Sequence, residues 1–235
     1  TLARGGVGQA GVQAQPFRAW INDWVLQGQG GIEQLQMVAS GDGFRYDLQL
    51  HSDLPLVLHG EQGYSEKSGK GQASYYYSQP FYQVQGQVQR GSLCIAVTGQ
   101  AWLDREWSSQ PLAPGQTGWD WFSLHLDSGA KLMLFQVREA HGEPYRAGTW
   151  VGPQGEVVVL DAAQIRLQAL AWSAQKNGKQ VPTRWRVQVP EHGVDVQVDA
   201  VEPQAWMQTR FPYWEGPVRL NGSAGGRGYL EMTGY

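Results

Sequence analysis

The segment Gly99–Trp107, Gly-Gln-Ala-Trp-Leu-Asp-Arg-Glu-Trp, holds the densest set of side chains able to do chemistry. On an extended strand successive side chains alternate faces, so Trp102, Asp104 and Glu106 share one face and Leu103, Arg105 and Trp107 the other. After a short loop comes Gly118-Trp119-Asp120-Trp121-Phe122, where Trp119 and Trp121 pair on one face and Asp120 and Phe122 on the other. A carboxyl among rings loses hydration, which raises its pKa and can keep it protonated as a proton donor near neutral pH. Ring faces also stabilise a cation by about 0.5–2 kcal/mol each. The candidate catalytic set is therefore Asp104, Glu106 and Asp120: Asp104 as donor, Glu106 or Asp120 to orient water. The candidate ligand-binding set is Trp102, Trp107, Trp119 and Trp121, with Tyr77 from the run Tyr75-Tyr76-Tyr77-Ser78 and Arg138. The alternative stays open. Asp104 could instead pair with Arg105, Arg138 or Arg146 in a structural network that has the tryptophans as core.

These residues need strands to hold them, and the chain is patterned for strands. Phe44, Tyr46, Leu48 and Leu50 alternate with polar residues, as do Tyr82, Val84 and Val88, and Val194, Val196 and Val198. Leu93, Ile95 and Val97 alternate with Cys94, Ala96 and Thr98, which predicts a half-buried strand. Between the runs, Ser128-Gly129, Gln154-Gly155, Asn177-Gly178 and His192-Gly193 supply residues suited to tight hairpins, which predicts an antiparallel meander. Asp161–Trp172 fits a helix or a strand, and no long helix is expected. The polar, Gly-rich stretch from Gly60 to Ser74 is the best linker candidate. It predicts a first domain at 1–65, a linker at 66–80 and a second domain at 81–235. The second part holds about ten strand candidates; the first holds about four, too few to close a barrel with a filled interior.

The chain has 235 residues, a net charge of -3 and no basic run, which leaves no electrostatic basis for nucleic-acid binding. No apolar stretch approaches the ~20 residues of a membrane-spanning helix. The single Cys94 allows no intramolecular disulfide. Gly6–Gly11 matches GxGxxG, but no strand precedes it and no βαβ unit follows, so dinucleotide binding is not expected. The five histidines are scattered, and no cofactor or metal site is expected. His125, on the Trp-rich strand, reads as a core or rim histidine rather than a metal ligand. The chain opens at Thr1 with neither a basic n-region nor an apolar h-region.

Five ordered blocks, Gly8–Trp24, Gly71–Pro80, Gly99–Ser109, Gly118–Gly129 and Gly226–Tyr235, together resemble the AttH-like, lipocalin-like family related to carotenoid 1,2-hydratase. The resemblance spans nearly the whole chain. It implies an all-β fold of two calycin-like antiparallel barrels or sandwiches, with further strands before Gly8, so that the first is incomplete here. It also implies a role in lipid or isoprenoid metabolism, and a periplasmic or secreted location. The leading reading is a protein that binds a lipophilic small molecule and hydrates or hydrolyses it without a cofactor. With no serine elbow or metal motif, hydrolysis has no obvious nucleophile. Rival readings are a non-catalytic lipid carrier and an assembly scaffold. A large cavity reaching Asp104 favours the enzyme, a cavity without acids the carrier, and a filled core the scaffold.

Overall fold

The computed structural model describes all residues except 1, 2, 4, 7 and 111. The Gly6–Gly11 motif includes Val7, which lies outside the described residues; Ala10 and Gly11 begin a strand. Among the described residues the one helical element is a 3-10 turn, Pro190–His192, and all paired strands are antiparallel. No helix is long and apolar enough to cross a membrane.

The chain divides into two compact units, 1–56 with 79–103, and 57–78 with 104–235. This differs from the boundaries the sequence predicts. The expected linker contains β7 (Tyr64–Glu66) and the start of β8 (Ala73–Arg90), an 18-residue strand. Its Gly-rich content marks a turn between two paired strands, because Tyr64–Glu66 pairs with Ala73–Tyr75. β8 and β9 (Leu93–Trp107) each contribute to both units.

In the first unit, β1 (Ala10–Gln13), β2 (Arg18–Ile21), β3 (Trp24–Gln27), β4 (Gln34–Gly41) and β5 (Phe44–His51) form a meander that continues onto β8. Its small core centres on Leu35, Leu50 and Tyr82, whose hydroxyl donates to the carbonyl of Ile32. The expected half-burial of Leu93 and Ile95 fails: they are 58% and 47% exposed. Alternation fixes opposite faces of a strand, and only a packed neighbour buries one of them.

The second unit contains a ten-stranded sheet. Its strands include β10 (Gln116–Leu126), β11 (Lys131–Glu139), β12 (Tyr145–Val151), β13 (Val157–Leu160), β14 (Arg166–Ala174), β15 (Gln180–Val189), β16 (Val194–Ala200), β18 (Tyr213–Gly222) and β19 (Gly226–Met232), with the two-residue β17 (Trp206–Met207) on β18. The order is β13-β12-β11-β10-β19-β18-β16-β15-β14. The segment that fits a helix or a strand becomes β14. One face of this sheet gathers Phe122, Leu134, Leu160, Trp185, Val196, Trp214 and Leu230 into a single filled core. Phe122 meets Trp185 edge to face at 5.4 Å. Two antiparallel sheets, one a half-barrel, make an all-β, calycin-like fold.

Candidate functional site

The strand β10 decides which residues meet, because its partners in register share its faces. Trp119 and Trp121 lie opposite Val137 and Phe135 of β11, and Trp121 lies opposite Glu231 of β19, which in turn faces Glu215 of β18. Asp120 lies between Gln136 and Met232 on the core face. A bulge between Gln116 and Gly118 starts the strand, and Gly118 adopts φ of 151°. A Cβ there would come within 2.3 Å of the Thr233 carbonyl, so glycine permits the end of β19 to close onto β10. Thr233 then holds Trp119 from both sides: its amide donates to the Trp119 carbonyl at 3.0 Å and its hydroxyl accepts from the Trp119 amide at 3.1 Å.

Over the Trp119–Trp121 face lies a cavity of about 580 Å³, and every residue lining it belongs to the second unit. Trp119, Trp121, Phe135, Val137, Leu112 and Tyr76 form its apolar wall; Asp104, Glu106, Glu215, Glu231 and Lys67 bring charge. Two openings in the first unit, about 520 and 740 Å³, have no Asp or Glu among the described residues of their walls.

Strand alternation on β8 sends Ser74, Tyr76 and Ser78 toward the acids. Asp104 Oδ1 accepts from the Tyr76 hydroxyl at 2.9 Å and from Ser78 Oγ, and Trp121 Nε1 donates to the Tyr76 oxygen at 3.0 Å. Burial, then the charges of Asp104 and Glu106, push the Tyr76 phenol well above its ordinary range, so it stays a donor. Glu106 Oε1 accepts from Ser74 Oγ at 2.6 Å and from Lys67 Nζ at 2.7 Å. Lys67 also lies over the rings of Phe135 and Tyr76, at 4.2 and 5.0 Å. Burial pulls its ammonium below the usual lysine range, against the opposing pull of Glu106 and Asp104.

Glu231 differs from the other acids. Burial raises its carboxyl above the ordinary 4.5, and the negative charges of Glu215, Glu106 and Asp104 push the same way; the Trp119 Nε1 bond, 2.7 Å long, opposes them. Glu215 accepts from the Tyr213 hydroxyl at 3.0 Å, whose own pKa is raised to about 12, chiefly by burial. The cavity thus joins a carboxyl biased toward its protonated form, Glu231, to Asp104, whose Oδ1 accepts from two hydroxyl groups. Among the described residues, no three of His, Cys, Asp and Glu are grouped so as to hold a metal ion.

Of the residues singled out in the sequence, the structure brings Asp104, Glu106, Trp119 and Trp121 to one cavity. The other five stand elsewhere. Asp120 is fully buried on the core face, where Arg138 Nη1 donates at 2.6 Å, the Tyr235 hydroxyl at 2.7 Å and Gln136 Nε2 at 2.7 Å. Arg138 itself stacks over the Tyr235 ring at 4.0 Å, so both members of this pair have structural partners. Trp107 and Tyr77 contact each other edge to face at 6.0 Å, and Trp107 is 55% exposed, because both occupy strand positions that alternate away from the acids. Trp102 falls in the first unit and is not part of the cavity wall; β9 passes from one unit to the other between Leu103 and Asp104. His125 is buried in the sheet, its imidazole lowered to about 4, first by burial.

Three residues escaped the sequence reading: Lys67, Tyr76 and Glu231. Lys67 sits in the polar stretch that reads as a linker. Tyr76 was within reach, since alternation separates it from Tyr75 and Tyr77. Glu231, in Tyr-Leu-Glu-Met-Thr, reads as an ordinary strand acid until register places it beside Trp121.

The AttH-like family model matches residues 1–235. No curated protein matches the chain. Among solved structures, a protein of Nitrosomonas europaea provisionally described as AttH is 33% identical with a TM-score of 0.83, over 93% of this chain and 70% of that one. Kievitone hydratase from Nectria haematococca superposes with a TM-score of 0.74 at 16% identity, over 92% of this chain and 69% of that one, a likeness of fold. The family match along its whole length and the 33% identity to the Nitrosomonas protein agree with the geometry of the folded chain, which belongs to the AttH-like family.

Proposed function

We propose that the cavity adds water across a carbon–carbon double bond of an unsaturated, lipophilic small molecule. The observation that carries this reading is the pairing of unlike carboxyls on an aromatic wall: Glu231, biased toward the acid form, and Asp104, held by two donors. The fold shared with a kievitone hydratase supports hydration as the reaction class. Protonated Glu231 donates its proton to one alkene carbon, and the π pair forms the new C–H bond. The faces of Trp119, Trp121 and Phe135 and the surrounding carboxylates stabilise the resulting carbocation. Water adds to the cation and releases a proton to Asp104, which acts as general base; Asp104 then gives that proton to solvent while solvent returns one to Glu231, so the net change is the addition of one water. Lys67 and Ser74 hold Glu106 in the wall. This assignment moves the donor role from Asp104, the sequence candidate, to Glu231.

The test uses a prenyl alkene in water enriched in heavy oxygen, followed by mass spectrometry. The expected result is an alcohol carrying one heavy oxygen, with turnover reduced about 10²–10⁴-fold by Glu231→Gln. Equal turnover by Glu231→Gln would overturn the assignment. Tight binding of the alkene without any product would make the protein a carrier.

A further inference from the structure

Behind the cavity wall runs a buried polar chain that the proposed reaction leaves unused. His59 Nδ1 lies 2.8 Å from Thr149 Oγ1, its Nε2 lies 2.7 Å from Ser78 Oγ, and Ser78 Oγ contacts Asp104 Oδ1. His59, Ser78 and Thr149 are all buried, and the imidazole packs against the Tyr76 ring with centroids 4.2 Å apart. All these residues belong to the second unit.

Counting hydrogens fixes the direction of the chain. A serine hydroxyl has one proton to give. When Ser78 donates it to an ionised Asp104, Ser78 can only accept from His59, so Nε2 carries the imidazole proton. Nδ1 is then a lone pair and accepts from Thr149. The ring is neutral, and burial together with the nearby Lys67 charge lowers its pKa to about 3, so no second proton enters near neutral pH. When Asp104 instead carries a proton on Oδ1, every donor reverses: Asp104 gives to Ser78, Ser78 to Nε2, and Nδ1–H to Thr149. The His59 tautomer therefore reports whether Oδ1 carries a proton.

We infer that His59, acting through Ser78, is a positioning residue that holds Asp104 as a carboxylate and pins its Oδ1, leaving the base correctly charged and oriented. This rests on the reading of Asp104 as the base. A neutral imidazole suits the task because it donates a hydrogen bond without adding a cation to the wall. Lys67 and the Tyr76 ring face His59, and Tyr76, Lys67, Glu106 and Glu231 are among the groups around Asp104, Tyr76 through a hydrogen bond.

The experiment reads the chain itself by NMR of the intact protein, with labelled histidine nitrogens and labelled aspartate carboxyls. In the unmodified protein His59 should be the Nε2–H tautomer at neutral pH. Ser78→Ala removes one donor and should raise the Asp104 titration midpoint by about one pH unit. His59→Leu should shift it in the same direction. His59→Gln, whose amide can donate toward Ser78 and accept from Thr149, should restore the original midpoint. An Nδ1–H tautomer at neutral pH in the unmodified protein would overturn the inference, as would an Asp104 midpoint that ignores both Ser78→Ala and His59→Leu, or one that His59→Gln shifts as far as His59→Leu does. The tautomer needs no substitution and no substrate, so failure of hydration with the tautomer as expected would count against the reaction alone.

Discussion

The two faces of β10 each present carboxyl chemistry among aromatic rings, with opposite results. On the core face Asp120 is fully buried, and each of its oxygens accepts a hydrogen bond, Oδ1 from Arg138 and Tyr235 and Oδ2 from Gln136. On the cavity face Glu231 has one indole donor, three acidic neighbours and open volume beside it. A buried carboxylate with a fixed cation and a full set of donors is part of the scaffold, whereas one whose charge is opposed by its surroundings is ready to exchange a proton. Burial alone distinguishes nothing here; the sign and completeness of the partner set does.

The comparison breaks most easily at Asp120. Asp120→Ala leaves the Arg138 guanidinium in a mostly buried site without its carboxylate, and a loss of about 3–5 kcal/mol in urea unfolding is expected. A variant as stable as the parent would show that the core-face pair is dispensable.

A smaller effect separates the tryptophans. Trp121→Ala removes part of the apolar wall and should weaken binding of a neutral naphthylamine dye by about tenfold or more, from the contact area lost. Trp107→Ala, on the face turned away from the acids, should leave that affinity unchanged in the same fluorescence titration. Equal losses would mean that the dye sits elsewhere.

The smallest expected effect concerns pH. The folded-state pKa of Glu231 lies above the ordinary 4.5, so the folded protein holds this proton more tightly than the unfolded chain. Its contribution to stability is then full below the unfolded value and is lost as pH rises through the folded one. Urea midpoints taken from about pH 4 to 7 should fall less steeply for Glu231→Gln than for the parent. An identical slope would place Glu231 among ordinary solvated acids.

The antiparallel strands, the hairpin turns, and the pairing of Asp104 with Glu106 and of Trp119 with Trp121 are legible in the residue order alone, because side-chain alternation along one strand is a local property. The same rule already turned Trp107 away from Asp104, and it separated Tyr76 from Tyr77. Alternation cannot say which face receives a neighbour, and so Leu93 and Ile95 stayed exposed while Asp120 was sealed into the core. Only the tertiary structure decided that Glu231 stands beside Trp121 and that Lys67 reaches Glu106. These contacts depend on strand register and on a turn folding back, and they join residues far apart in the chain. A carboxyl's charge is set by whatever those distant segments bring to it, which is why the acid of this site was visible in the sequence only as a glutamate on a strand.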